Sequence, residues 1–129
     1  MRFTAAAALI FGATALAETV NITKFTVHKD NGAVDSYSFH LSGDEAADAT
    51  CSASGAIPSD TITCGETKYR FQVSAGVDDS TFNLKIFHEL STAAGSSGVA
   101  AITTNCRSGG GNTNVCEATA PSNVITLTS

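Results

Sequence analysis

A chain of 129 residues is sized for one domain. Hydrophobic residues make up 43 %, enough for a packed core, which excludes intrinsic disorder, and charged residues only 15 %. The formal net charge is −5, with seven Lys and Arg against twelve Asp and Glu, so no clustered basic surface exists and nucleic acid is excluded as a partner.

The chain opens with Met1-Arg2, a short positive start, followed by an uncharged run from Phe3 to Ala17. That run is shorter than the roughly 20 residues needed to span a membrane. It ends in Ala15-Leu16-Ala17, the small-x-small pattern of a signal-peptidase site, just before Glu18. Residues 1–17 are therefore expected to be a signal peptide and residues 18–129 a single secreted domain. Cleavage there would leave 112 residues and, with Arg2 gone, a charge of −6. No second apolar run is long enough for a membrane span and no lipid-anchor signal follows, so a membrane partner is not expected.

Along the remaining chain the dominant period is two. Tyr37, Phe39 and Leu41 alternate with Ser38 and His40; Tyr69, Phe71 and Val73 alternate with Lys68, Arg70, Gln72 and Ser74; Phe82, Leu84, Ile86, His88 and Leu90 share one face. Such alternation marks strands with one buried and one wet face. β-branched runs at Val20–Val27, Val99–Thr104 and Val124–Thr128 predict further strands. Turn chemistry separates them at Asp30-Asn31-Gly32, Ser42-Gly43-Asp44, Cys64-Gly65-Glu66, Gly76–Asp79 and Ser108–Asn112. The pattern predicts an all-β domain, a compact antiparallel β-barrel or sandwich-like barrel. Asp44–Thr50 and Ser91–Ser97 are the weakest stretches, where an Ala-rich helical turn competes, though neither is long or amphipathic enough to count as a helix.

Four cysteines, at 51, 64, 106 and 116, form an even set, which in a small secreted chain reads as two disulfides. The spacings lack the close C-x₂₋₄-C pairs of zinc sites. Three pairings are open; the neighbour pairing Cys51–Cys64 and Cys106–Cys116 is favoured because each pair brackets a turn-rich segment.

Few residues suggest chemistry. Asn21-Ile22-Thr23 is an N-glycosylation sequon. His28, His40 and His88 have no ligand-like spacing and read as packed or surface residues rather than a metal set. The acids Asp44, Glu45, Asp48, Asp78 and Asp79 lack a calcium-loop pattern and read as solvated turns. Arg107 with the glycines of Ser108–Asn112 could form an anion nest, but these residues read more simply as a disulfide-closed turn. No G-x-S-x-G elbow is present. No catalytic residue, metal site or cofactor is predicted, and the protein is not expected to be an enzyme.

The segments Cys51-Ser52-Ala53, Cys64-Gly65-Glu66, Asn105-Cys106-Arg107-Ser108-Gly109-Gly110 and Val115-Cys116 carry a resemblance in this order. With Ile22-Thr23-Lys24-Phe25 at the start and Ile125-Thr126-Leu127 at the end, they resemble the major allergen family of Alternaria over the whole mature chain. The resemblance implies a compact fungal β-barrel with disulfides 51–64 and 106–116, secreted, without established enzymatic activity. It implies a role as an allergen, or as an effector or elicitor of plant defence, with plant pathogenesis-related thaumatin-like proteins among its partners. Flavonoid binding is a further property of the family's allergen, for which no residues can be transferred to this chain. The allergen's extra cysteine, which links two subunits, has no counterpart in Glu18–Thr50, so a monomer or a non-covalent oligomer is expected.

Together these observations point to a secreted interaction protein that binds a host plant extracellular protein in the apoplast. The alternative is a small-molecule carrier for flavonoids or other phenolics, its cavity lined by Tyr37, Phe39, Tyr69 and Phe71. An enzyme acting on cell-wall or phenolic material is supported only by scattered acids.

Overall fold

The computed structural model describes residues 18–91 and 94–129; the expected leader, residues 1–17, lies outside them. Nine strands follow in chain order: β1 (Glu18–Asp30), β2 (Ala33–Gly43), β3 (Ala46–Ser54), β4 (Ile62–Thr63), β5 (Tyr69–Ala75), β6 (Thr81–Ser91), β7 (Ala94–Gly110), β8 (Thr113–Ala118) and β9 (Ser122–Leu127). All pairings among them are antiparallel, in the order β3-β2-β1-β8-β7-β6-β5-β4, with β9 also paired to β1. The result is a nearly closed antiparallel barrel.

Two long strands make closure possible by changing partner along their length. The first half of β1 pairs with β9, from Glu18↔Leu127 to Thr23↔Ser122, and its second half pairs with β8, from Thr26↔Glu117 to Asp30↔Thr113. The switch falls at an irregularity between Thr23 and Thr26, where Lys24 takes a positive φ of 56°. A bulge of this kind bends a strand and sharpens its twist. Likewise β7 pairs with β6 up to Thr103 and with β8 from Thr104 onward, and its Ser97 bridges to Thr128 beyond β9.

The alternation seen in the sequence becomes the core. Val20, Ile22, Phe25 and Val27 of β1, Tyr37, Phe39 and Leu41 of β2, Tyr69, Phe71 and Val73 of β5, and Phe82, Leu84 and Ile86 of β6 all point inward and are buried. Phe39 and Phe71 meet edge to face with centroids 5.0 Å apart, Tyr37 stands perpendicular to Phe71 at 6.3 Å, and Phe25 lies 6.2 Å from both Phe39 and Phe82. Edge-to-face contacts at these separations add roughly 0.5–1.5 kcal/mol each beyond the area buried.

Disulfides join Cys51 to Cys64 and Cys106 to Cys116. The first connects β3 to the residue after β4, the two ends of the strand order, and so fastens the open seam of the barrel. The second joins residues directly opposite each other in the β7–β8 ladder. The β1–β2 hairpin turns on Asn31 and Gly32, both with positive φ (55° and 81°), the geometry that suits the twist of a two-residue hairpin.

Of the two Ala-rich stretches, Asp44 and Glu45 form the turn between β2 and β3, and Ser91 ends β6. Residues 46–50 belong to β3 and residues 94–97 to β7. Alanine's poor strand propensity is outweighed by the ladders that neighbouring β2 and β6 offer.

Candidate functional site

At the end of the barrel where β1 begins, four side chains from four parts of the chain meet. His88 comes from the inward face of β6 and is 2 % exposed; Tyr69 opens β5; Glu18 opens β1 and is 7 % exposed; Glu45 sits in the turn between β2 and β3. Tyr69 and His88 face each other in the β5–β6 ladder and their rings stack, centroids 4.2 Å apart at 19°. The Glu18 carboxylate lies against this stack. Its Oε1 is 2.6 Å from His88 Nδ1, and its Oε2 accepts from the Tyr69 hydroxyl at 2.5 Å and from the Asp44 backbone N–H at 3.1 Å. The Tyr69 oxygen in turn accepts from the Glu45 N–H at 3.2 Å. On the far side of the imidazole, Glu45 Oε2 lies 2.8 Å from His88 Nε2, but at an angle that makes no hydrogen bond.

The cluster fits because Gly43 clears the space beside it. A Cβ on Gly43 would stand 2.5 Å from the Tyr69 oxygen and 2.9 Å from Val20 Cγ1. Ser96 is paired with His88 across the β6–β7 ladder, and its buried hydroxyl also lacks a hydrogen-bond partner.

Burial by itself would raise the pKa of Glu18. The hydrogen bonds from Tyr69, Asp44 and His88, with the imidazole's charge, outweigh it and hold the carboxyl below its ordinary range. Tyr69 moves the other way: burial, followed by its bond to the Glu18 carboxylate, keeps the phenol well above its usual value. The cluster thus contains one carboxylate that resists protonation and one phenol that resists ionisation.

The other two histidines are each held by a carboxylate. His28 Nδ1 lies 2.7 Å from Asp35 and His40 Nδ1 lies 2.7 Å from Asp48, at exposed or half-buried positions on the outer face. The three histidines lie on three different strands, β1, β2 and β6. Glu45 and Asp48 are more than solvated turn residues, since one approaches His88 and the other pairs with His40. Asp78 fits the solvated-turn reading and accepts from Ser80 at the β5–β6 turn, where the backbone bond from Ser80 leads the effects holding its pKa down. Arg107 pairs with Glu117 at 2.8 Å, and the glycines after it close the β7–β8 hairpin. Asn21 is exposed on the outer face of β1, between Ser42 of β2 and Val124 of β9. Among the described residues, no three His, Cys, Asp or Glu side chains gather around a common metal position.

Tyr37, Phe39, Tyr69 and Phe71, the rings that could have lined a carrier's cavity, are packed into the core. Grooves do run over the surface. One of about 440 Å³ is bordered by His28, Ser36, Ser38, Ser52 and Ser54, and one of about 270 Å³ by Lys29, Val34, Ile57, Asp79 and Phe82.

Residues 22–117 match the family of Alternaria alternata allergen 1. The chain belongs to that family. It is 39 % identical to the effector protein PevD1 of Verticillium dahliae over 97 % of this chain and 93 % of that protein. Two crystal structures of Alternaria alternata allergen Alt a 1 superpose with TM-scores of 0.70 and 0.68, each at 26 % identity. Those alignments cover 84 % of this chain and 86 % and 91 % of the respective allergen chains. The family likeness thus extends to the overall fold, and the similar proteins include both an allergen and a fungal effector.

Proposed function

We propose that this protein is a secreted fungal effector that acts in the plant apoplast by binding a host extracellular protein with its folded surface. The observation that carries this is the 39 % identity, across nearly the full length of both chains, to a protein named as an effector. In this reading residues 1–17 are removed on secretion, the active form starts at Glu18, and Asn21 carries a glycan on the outside of β1. The host partner is a pathogenesis-related protein of the thaumatin-like kind, and action is by recognition, with no chemical step of the protein's own.

The structure offers physical support. Two covalent bridges and a full aromatic core favour a stable, preorganised surface, which lowers the entropic cost of binding. The β5–β6 turn presents Val77, 90 % exposed, next to Asp78 and Asp79, an apolar tip flanked by acids that suits a partner with a basic rim. The carrier alternative gains no such support, because its proposed lining rings already fill the core.

The test is infiltration of leaves with native protein and with reduced, alkylated protein, alongside capture of thaumatin-like proteins from apoplastic fluid by each. Native protein should bind and provoke a response while the alkylated form does neither. Full activity after reduction and alkylation would mean that a linear peptide is perceived, and would overturn the folded-surface reading.

A further inference from the structure

We propose that His88 Nε2 and Glu45 Oε2 are the protein donors of an exchangeable site for a divalent d-block cation, with Cu(II) the best fit. The site stands apart from the effector reading, since it rests only on the cluster at the start of β1.

The first argument is the orientation of the ring. His88 Nδ1 is 2.6 Å from Glu18 Oε1, and Glu18 accepts from Tyr69 and Asp44 on its other oxygen. A carboxylate in that position only accepts, so Nδ1 carries a proton, and in the tautomer with that proton alone the imidazole presents its lone pair at Nε2. A carboxylate holding the far nitrogen of a histidine in this way is the usual outer-shell support of a metal-binding imidazole. Stacking on Tyr69 fixes the ring plane as well.

The second argument is that Nε2 has no hydrogen-bond partner although it is buried. Polar atoms in such positions are seldom left unpaired. Glu45 Oε2 comes within 2.8 Å but makes no hydrogen bond with it. It is well placed to serve as a second ligand. Two donors bound side by side at 90°, with metal distances of about 2.0 to 2.1 Å, stand roughly 2.9 Å apart, whereas a tetrahedral angle spreads them to about 3.4 Å. The observed separation matches the side-by-side arrangement. Mixed nitrogen and oxygen donors at right angles are the tetragonal preference of Cu(II), which also heads the affinity order of the divalent series.

The third argument is access and charge. Glu45 is 45 % exposed, so the site opens to solvent through the β2–β3 turn. The Glu18 and Glu45 carboxylates flank the imidazole on its two nitrogens, giving an acidic surrounding that favours a cation. The unpartnered hydroxyl of Ser96 lies across the ladder from His88. Only two side chains donate, so water completes the coordination and the metal exchanges readily.

The experiment is titration of the secreted protein with Cu(II) alone, followed by calorimetry and electron paramagnetic resonance. The expected result is one equivalent bound, with an axial spectrum showing coupling to an imidazole nitrogen. Glu45→Gln, at a half-exposed turn position, should weaken binding by about tenfold or more. The double variant His28→Asn/His40→Asn should bind as the unaltered protein does, and its spectrum tests the assignment without touching the cluster. Unchanged affinity in Glu45→Gln, loss of the site in the double variant, a spectrum without nitrogen coupling, or no saturable binding would each overturn the proposal. The last is the result expected if His88 is simply a cation paired between two carboxylates.

Discussion

Glu18 and His88 are 70 residues apart in the chain and 2.6 Å apart in the fold, joined through a carboxylate that is almost fully enclosed. The first residue of β1 and a residue near the end of β6 are thereby held together by a polar contact at the edge of a largely apolar core.

Removing that carboxylate should be costly. Glu18→Ala leaves the Tyr69 hydroxyl, the Asp44 N–H and His88 Nδ1 without their acceptor at once. Breaking a buried charge-assisted set typically costs about 3–5 kcal/mol. Urea unfolding should show a loss of that order, whereas a change below about 0.5 kcal/mol, the scale of ordinary surface substitutions, would mean the cluster is energetically idle.

The same group sets an acid limit. Its pKa in the folded protein is held below the ordinary value of about 4.5, so folding favours the ionised form. The stability this contributes is fully present above that ordinary value and is lost as pH falls through the lower folded value. Asp78 shifts in the same direction and adds to the same limb. Unfolding midpoints measured from pH 6 down to pH 2 should fall in the acid range, and Glu18→Gln should flatten the slope. An equal slope in both proteins would refute the assignment.

The two disulfides should differ in their effect. Cys106–Cys116 reinforces a ladder that backbone hydrogen bonds already hold, whereas Cys51–Cys64 spans the seam between the two ends of the strand order. Losing a bridge from a small secreted domain costs about 2–5 kcal/mol. Denaturant titration should place Cys51→Ala/Cys64→Ala toward the upper end and Cys106→Ala/Cys116→Ala toward the lower. The reverse ranking would show that the seam is held by other contacts.

Gly43→Ala tests the packing beside the cluster. The added methyl would press on the Tyr69 oxygen and on Val20, and relieving it moves the hydroxyl away from Glu18. A cost of about 1–3 kcal/mol is expected. Thermal melting at neutral pH checks this, and an unchanged melting temperature would contradict it.

Much of the barrel was legible because strand alternation is a local signal. Tyr37, Phe39, Tyr69 and Phe71 could be placed on one face from their period alone, and Asn31-Gly32 announced its hairpin. The partner exchange of β1 could not be read, since Lys24 bears no mark of the bulge that its positive φ creates. Nor could the polar cluster. His88 shared the inward period with Ile86 and looked like one more core position, while Glu18 and Glu45 looked like ordinary acids in exposed segments. What unites them is a meeting of strand ends, and no short window contains it. Alanines at 46, 47 and 49 left their stretch ambiguous for the opposite reason, because local propensity there is overruled by pairing with β2.

The exchange of partners by β1 has a consequence for how the molecule comes into being. Its first half waits for β9 and its second for β8, so a strand made early is completed by strands made much later. The pair Glu18↔Leu127 cannot form until Leu127 has been synthesised. Contacts of such long sequence separation slow folding and leave unpaired edges exposed meanwhile. The barrel therefore closes only once β9 has been made, whereas hairpins of neighbouring strands such as β1–β2 and β5–β6 are able to form earlier.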